Sequence, residues 1–193
     1  EKRMTENEKA QQGMLYDANY DETLLAERNY ASELLYTYNR LPPSSHKERR
    51  TILEKLLGKI GNECTILPMF HCDYGYNIEI GETFMSNVNL VILDGAKVTI
   101  GNHVYIAPNV GIYTAGHPLD MIQRRQGLEY ARPITIGNDV WIGAGSSILP
   151  GVTIGSNVVI GAGSVVTRDL PDNCLAVGNP CRIIRTLGQK DIE

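Results

Sequence analysis

The strongest constraint in this sequence is a six-residue repeat of aliphatic side chains between residues 134 and 169. The series consists of Ile136, Ile142, Ile148, Ile154, Ile160 and Val166, and glycine usually follows each member. An α-helix repeats about every 3.6 residues and a strand every two, so neither element alone produces this spacing. A step of strand plus bend produces it, when one aliphatic side chain per step points into a shared interior. The repeat therefore predicts a β-solenoid in which three steps close a triangular coil of about eighteen residues.

The repeat extends upstream, with one interruption. Ile100, Ile106 and Ile112 keep the six-residue spacing. Noisier series precede them, and their members are Ile60, Ile66, Cys72 and Ile78, then Ile80, Ser86 and Ile92. Four further steps separate Ile112 from Ile136, yet most of residues 115–132 carry no ladder and much charge. Because insertions in a solenoid form loops, often on the binding face, we expect residues 115–132 to be extruded from one corner.

The sequence predicts three consecutive parts. Residues 1–58 are helical, residues 59–185 form the solenoid, and residues 186–193 form a C-terminal tail. The terminal coil of a solenoid exposes unpaired strand edges, so a cap over that end is physically required. We interpret the helical segment as this cap. Met4 is interpreted as the native start, with residues 1–3 added ahead of it.

Capping signals divide the helical segment into separate helices. Thr5 and Glu8 have the spacing of a capping box, and Asp21 can cap a second helix. That helix has a stripe in steps of three and four, formed by Leu24, Arg28, Ala31, Leu35 and Tyr38. Ser45 and Glu48 repeat the capping-box spacing and predict a third helix.

Composition excludes several classes of protein. Eighteen basic residues stand against 22 acidic ones, a net charge of −4, so nucleic acid is a poor candidate partner. No apolar run has the length of a membrane span and no signal peptide precedes the body, which predicts a cytoplasmic protein. The four cysteines have no CxxC or metal-binding spacing and are expected to be thiols: Cys64, Cys72, Cys174 and Cys181.

One histidine has a position that suggests chemistry. His46 lies in the third predicted helix, and His71 and His103 are predicted within strands. Only His117 lies at the root of the predicted loop, between a glycine and a proline. It is either an ordinary solvated loop residue or a general base, a task that suits imidazole because its pKa lies near working pH.

Four short motifs accompany the repeat, and together they resemble a known family. They are YDANY at 16–20, DYGYN at 73–77, YTAGHPLD at 113–120 and GNPCR at 178–182. With the hexapeptide ladder and the helical start, they resemble the maltose and galactoside O-acetyltransferases over nearly the whole chain. The resemblance implies a mainly β fold, a left-handed parallel β-helix with an N-terminal helical cap of the maltose acetyltransferase type. It also implies transfer of an acetyl group from acetyl-CoA to a sugar hydroxyl by a homotrimer, with no metal required.

The resemblance assigns an acceptor site. It implies that His117 is the catalytic base and that Asn87 contacts the acceptor and steadies the transition state. The positions that it places around the acceptor sugar are Asp17, Asp73, Met85, Asn87 and Glu129. Met85 and Glu129 stand where the galactoside enzyme has Tyr and Met, and Gly95 stands where it has Asp, which leaves the acceptor's identity open. Read locally, Asn87 and Asp73 are turn residues and Asp17 is a cap.

The resemblance also assigns a coenzyme A site. Its members are Trp141, Ala144, Ala162, Thr167, Arg168, Arg182 and Arg185. Small residues let the pantetheine arm approach the coil backbone, although close coil packing explains them equally well. Arginines supply charge for phosphates, although solvated surface arginines are common. Trp141 is predicted to point outward, where its burial requires a neighbouring subunit.

Three classes of function compete. The first is the sugar O-acetyltransferase with a maltose-like or glucose-like acceptor. The second is a related acetyltransferase for a galactoside, an oligosaccharide as in nodulation acetyltransferases, a xenobiotic or an amino acid; the set Asp17, Asp73 and Asn87 favours a sugar. The third is a zinc-dependent or purely structural β-helix. His103 and His117 lie 14 apart with no H-x4-H, which argues against zinc. A structural protein does not require the histidine loop or the terminal arginines.

Overall fold

The computed structural model describes residues 3–188 and residue 191. Parallel strands stack into a solenoid of about six turns, preceded by helices, so the mainly β fold that the period predicts is confirmed. The predicted tail lies partly outside the described residues, at 189, 190, 192 and 193, as do residues 1 and 2 of the predicted addition.

Three parallel sheets form the faces of a triangular prism. The first face holds Ile78–Ile80, Val98–Ile100, Ile134–Ile136 and Thr153–Ile154. The second face holds Cys64–Ile66, Phe84–Ser86, Val104–Ile106, Val140–Ile142, Val158–Ile160 and Cys174–Val177. The third face holds Phe70–Cys72, Leu90–Leu93, Gly111–Tyr113, Ser147–Ile148 and Val165–Val166. Arg182–Thr186 adds antiparallel to the end of the second face.

The predicted ladder fills the interior of the prism. Ile80, Ile100, Ile136 and Ile154 stand in register on the first face, and all are buried. Equivalent columns line the other two faces. Burying one such side chain contributes about 1.5–3 kcal/mol, so stacked coils hold the solenoid together.

The upstream series are noisy because their coils are longer. Ladder positions on the first face are 18 residues apart from Ile136 to Ile154 but 20 apart from Ile80 to Ile100. The two extra residues enter at the corner between the third and first faces, where the step from Ile92 to Ile100 is eight residues instead of six. This corner also carries the extruded loop.

The helices are Glu6–Gln11, Glu22–Tyr38 and His46–Leu56, with a short fourth helix, Met121–Arg125, in the loop. Thr5 and Glu8 form the predicted capping box, and the Asp21 side chain accepts a hydrogen bond from the Leu24 N–H. Ser45 is the N-cap of the third helix, as predicted, but its side chain makes no capping hydrogen bond and its ψ of 55° departs from the usual extended backbone of an N-cap.

The second and third helices pack on the first coil. Their buried residues from Ala31 onward share one cluster with Ile66 and Phe70, and the Tyr38 hydroxyl donates to the Ile66 carbonyl at 2.6 Å. Asn39 pairs with both the N–H and the carbonyl of Phe70 through its side chain, at 2.9 Å each. The helices thus satisfy backbone groups of a coil that has no preceding neighbour.

Some predictions outside the ladder need correction or completion. His103 lies in a bend with φ 56°, and not within a strand. The four cysteines are free thiols. Within residues 3–188 and 191, no helix is both long and apolar enough to cross a membrane.

Candidate active site

A small antiparallel sheet outside the prism positions His117. It joins Ala115–Gly116 and Leu128–Ala131 of the loop to Tyr16–Asp17 of the N-terminal segment. Because Gly116 pairs with Tyr130 and Tyr16 pairs with Glu129, the loop histidine, Glu129 and Tyr16 converge.

The pair of His117 and Glu129 is close but not hydrogen-bonded. His117 Nε2 lies 3.8 Å from Glu129 Oε1, beyond hydrogen-bond range. The imidazole side chain is 57% exposed and the carboxylate side chain 19%. The Asn19 amide also donates to Glu129 Oε1, at 3.4 Å. Glu129 is thus the carboxylate next to His117, and Asn19 holds it in place.

Gly116 fixes the approach of the histidine strand. A Cβ at this residue would lie 2.4 Å from the Tyr130 ring, so only glycine allows the ring to pack on the strand. The Arg132 guanidinium also contacts this ring, at 4.8 Å from its centre. The residue before the histidine is therefore held by packing.

Two carboxylates of this region, Glu129 and Asp73, are partly desolvated. Burial raises the pKa of Glu129, while His117 and Asn19 pull it back. Burial also raises the pKa of Asp73, against the pull of His71 and Arg28. Asp17 serves a local turn, because its Oδ1 accepts from the N–H groups of Asn19 and Tyr20 at 3.3 and 3.0 Å.

Asp94 organises this region and was missed by sequence reasoning. It is fully buried, and its two carboxylate oxygens accept from the N–H groups of Asp73, Tyr74 and Gly75 at 3.0, 2.9 and 2.7 Å. Burial raises its pKa to about 6, although the backbone N–H groups favour the ionised form. Asp94 thereby fixes the turn that presents Asp73.

Thr114 plays a matching part at the root of the loop. Its buried hydroxyl donates to the Leu93 carbonyl at 2.6 Å and accepts from the Ala96 N–H at 3.0 Å. The sequence signal for Asp94 was the eight-residue step from Ile92 to Ile100 in which it lies. The signal for Thr114 was the 24-residue step from Ile112 to Ile136.

We call the corner between the third and first faces the loop edge. The predicted site residues there are Asp17, Asp73, His117, Glu129, Thr167 and Arg168. Thr167 and Arg168 directly follow the last strand of the third face and are exposed. The loop edge therefore collects the histidine and all three predicted acidic residues.

We call the corner between the second and third faces, together with the adjoining outer surface of the second face, the alanine edge. The predicted site residues there are Met85, Asn87, Trp141, Ala144, Ala162, Arg182 and Arg185. Trp141 stands in register with Tyr105, and both are more than half exposed, at 55% and 53%. The Ala144 carbonyl accepts from the Gly163 N–H at 2.7 Å, so successive coils are hydrogen-bonded at this corner. The side chains of Ala144 and Ala162 there are single methyl groups. Arg185 is paired with Asp191.

Asn87 has one free hydrogen-bonding group. Its Oδ1 accepts from the Val88 N–H at 2.8 Å, and its amide N–H2 has no partner among residues 3–188 and 191. The structure does not bring Asn87 to His117. The third face separates their corners. Its strands in the coils at and before Asn87, Leu90–Leu93 and Phe70–Cys72, are four and three residues long, which is about 10–13 Å at ~3.3 Å per residue.

Comparisons with known proteins agree with this architecture. The maltose acetyltransferase hexapeptide capping motif matches residues 9–61, and the bacterial transferase hexapeptide model of six repeats matches residues 133–168. The maltose O-acetyltransferase from Clostridium difficile 630 superposes with a TM-score of 0.94 at 49% identity, over 96% of this chain and 99% of that one. These matches define the class of protein, a hexapeptide-repeat acetyltransferase.

Two further relatives narrow the class. A galactoside acetyltransferase solved in complex with coenzyme A superposes with a TM-score of 0.94 at 42% identity, over 98% of this chain and 94% of that one. Nodulation protein L from Rhizobium meliloti (strain 1021) is 49% identical over 179 residues, which are 93% of this chain and 97% of that protein. The chain belongs to the maltose and galactoside O-acetyltransferase family.

Proposed function

We propose that the protein transfers an acetyl group from acetyl-CoA directly to a sugar hydroxyl, with His117 as general base. The observation that carries this proposal is an exposed imidazole beside partly buried carboxylates at the loop edge. Carboxylates accept hydrogen bonds from sugar hydroxyls, and imidazole accepts a proton near neutral pH.

The proposed reaction needs two steps at one carbonyl. His117 takes the proton of the acceptor hydroxyl as its oxygen attacks the thioester carbonyl carbon, and a tetrahedral oxyanion forms. The C–S bond then breaks, the acetyl group remains on the sugar oxygen, and the imidazolium returns its proton to the coenzyme A sulfur. Asn87 supports the oxyanion, because its amide N–H2 is free to donate.

The acceptor in this proposal is a glucose-like or maltose-like sugar. Asp73 is held in place by Asp94 and offers two acceptor oxygens to adjacent hydroxyls. Asp17, Glu129 and Met85 complete the acceptor site. A second candidate is an oligosaccharide acceptor, as in the nodulation acetyltransferases, and the 49% identity to Nodulation protein L is the reason to test it.

Coenzyme A in this proposal lies along the alanine edge of a homotrimer. The small residues Ala144 and Ala162 admit the pantetheine arm beside the exposed Trp141. Contacts to the nucleotide and its phosphates come from Arg182 and Arg185 of the same edge and from Thr167 and Arg168 of the loop edge that faces it. Because His117 and Asn87 lie on different corners, a complete site requires the loop edge of one subunit to face the alanine edge of another. A closed ring of three subunits satisfies this requirement. We place the reaction in the cytoplasm, where free thiols stay reduced.

Release of coenzyme A from acetyl-CoA, measured with and without sugars, tests the proposal. The panel comprises maltose, glucose, galactosides, amino sugars, chloramphenicol and serine at fixed acetyl-CoA. We expect release that depends on a sugar and is fastest with maltose or glucose. Release only with chloramphenicol or serine, or at a rate that no acceptor changes, would overturn the sugar assignment.

A further inference from the structure

Tyr16 has an unusual hydroxyl for a buried tyrosine. The residue is 2% exposed, and its hydroxyl makes no hydrogen bond to residues 3–188 or 191. Arg49 Nε is the one side-chain polar atom in these residues that is both sealed from solvent and unpartnered. The Tyr16 hydroxyl is therefore not sealed, and the small exposed part of this residue includes its oxygen.

The contrast with Tyr38 shows that this arrangement is not forced by the fold. Tyr38 is 1% exposed, and its hydroxyl donates to the Ile66 carbonyl at 2.6 Å. A hydroxyl placed in a protein interior normally finds such a partner, because leaving it unpaired is costly. An unpaired phenol oxygen that is not sealed from its surroundings is instead available to a ligand.

Gly95 makes room for this hydroxyl. A Cβ at Gly95 would lie 2.7 Å from Tyr16 Oη, closer than carbon and oxygen approach without a shift. The same position lies 3.3 Å from Ala131 Cβ and 3.9 Å from Ala115 Cβ, the two residues that begin and end the histidine hairpin. The phenol oxygen thus lies between the root of the His117 loop and the turn at Asp94.

The residues near Tyr16 include members of the proposed acceptor site, and Glu129 is its partner in the small antiparallel sheet. Burial raises the pKa of Tyr16, and the nearby Glu129, Tyr74 and Asp73 raise it further. The phenol therefore stays protonated at neutral pH and can donate a hydrogen bond. Two of these neighbours, Asp73 and Glu129, are residues of the proposed acceptor site.

We propose that the Tyr16 hydroxyl binds the acceptor directly, by hydrogen bonding to a sugar oxygen, and that Gly95 is the residue that admits it. The inference rests on the proposed function and adds a neutral donor beside the carboxylates of Asp73 and Glu129. A donor is needed there because ring and glycosidic oxygens of a sugar only accept hydrogen bonds.

The first test compares two variants that each remove the phenol oxygen of one buried tyrosine. Tyr16→Phe is expected to raise the Michaelis constant for the sugar about 3- to 10-fold, the worth of one neutral hydrogen bond. The Michaelis constant for acetyl-CoA and the melting temperature should change little. Tyr38→Phe is expected to do the reverse, lowering the melting temperature while leaving both Michaelis constants unchanged.

The second test is a double-mutant cycle. Gly95→Ala is expected to raise the sugar's Michaelis constant, because its methyl group displaces the Tyr16 oxygen. In the Tyr16→Phe background the same alanine should add less than about twofold, since the atom that it collides with is gone. Equal effects in both backgrounds would overturn the proposed link between the two residues.

Failure of the inference is distinct from failure of the proposed function. Wild-type enzyme that releases coenzyme A with sugars, together with an unchanged sugar Michaelis constant in Tyr16→Phe, overturns the role of Tyr16 alone. Wild-type enzyme that no sugar stimulates overturns the proposed function and this inference with it.

Discussion

The loop edge carries buried carboxylates, a histidine and a dense hydrogen-bond network, whereas the alanine edge carries methyl groups, an exposed tryptophan and a free amide. Asp94 alone accepts three backbone N–H groups at the loop edge. At the alanine edge, Asn87 leaves its N–H2 group unpaired among the described residues. In the proposed function, the loop edge holds the acceptor hydroxyls and accepts a proton, and the alanine edge lets the long, flexible coenzyme A lie close to the backbone.

The two edges also differ in how they depart from the repeat. At the alanine edge the six-residue step holds from Ile106 to Ile112 and from Ile142 to Ile148. At the loop edge the step across the corner is eight residues long in two coils and 24 residues long in a third. Extra residues at a corner of a solenoid add groups without disturbing the ladder, so chemical variety concentrates where the period fails.

The largest expected effect comes from removing the base at the loop edge. His117→Ala should lower turnover about 10²- to 10⁴-fold, the usual worth of a positioned general base. The Michaelis constant for acetyl-CoA should change little, because the donor arm binds at the other edge. His46→Ala, at the exposed start of a cap helix, is the matched control and should keep full activity. Turnover of His117→Ala within about threefold of wild type would refute the assignment.

Mixed oligomers test whether the two edges meet between subunits. Chains with His117→Ala and chains with Asn87→Ala, each nearly inactive alone, should recover about a quarter of wild-type activity when co-expressed equally as closed trimers. The reason is that some interfaces then pair an intact loop edge with an intact alanine edge. Activity equal to the simple sum of the two variants would place the site within one chain. A monomer mass at sedimentation equilibrium would exclude the trimer.

Asp94 allows a test of how the loop edge is held. Its pKa is about 6 in the folded chain against an ordinary value of 3.8, so the folded state binds the proton more tightly than the unfolded state does. This group therefore stabilises the fold increasingly as pH falls through 6, and the gain is lost as pH rises through 6. An asparagine side chain does not titrate in this range. The unfolding free energy of wild type minus that of Asp94→Asn should therefore increase by about 2 kcal/mol from pH 7 to pH 4.5. Urea unfolding at both pH values measures it, and a gap independent of pH would contradict the raised pKa.

Two arginines, Arg185 at the alanine edge and Arg168 at the loop edge, test the proposed contacts to the phosphates of coenzyme A. Arg168→Ala and Arg185→Ala should each raise the Michaelis constant for acetyl-CoA about tenfold and lower turnover less, because each loses a charge-assisted contact to phosphate. Arg40→Ala, on the exposed surface of the cap, is the control. With a truncated pantetheine donor that lacks the nucleotide phosphates, the penalty should disappear. An equal penalty with both donors would show that neither arginine binds phosphate.

The remaining prediction concerns acceptor choice at the loop edge. Wild-type enzyme should acetylate glucose or maltose better than a galactoside, and Asp73→Ser should cost the gluco-acceptor about 1.5–3 kcal/mol in kcat/KM. The gluco-acceptor loses because serine offers its hydroxyls one weaker partner in place of two carboxylate oxygens. The galactoside should lose less. Measuring kcat/KM for both sugars in both proteins decides the matter. A wild-type preference for galactosides, or equal losses, would show that Asp73 does not discriminate.

Much of the fold was predictable because each step of the solenoid repeats the same local interaction. The isoleucine ladder, the position of the loop and the cap at Thr5 and Asp21 all follow from spacing between near neighbours. Local signals failed where backbone geometry decided the outcome. Ser45 is the N-cap that its spacing predicts but makes no capping hydrogen bond at its ψ of 55°, and His103 lies in a bend with positive φ.

The sequence by itself determined that the chain forms coils, where they break, and which histidine lies at the break. Only the tertiary structure decided that Tyr16 lies opposite Glu129, that Asp94 holds Asp73, and that Asn87 lies on another corner from His117. The physical reason is that a period records contacts between equivalent positions in successive coils. The site instead depends on single contacts between segments far apart in the chain, and such contacts leave no repeated pattern to read.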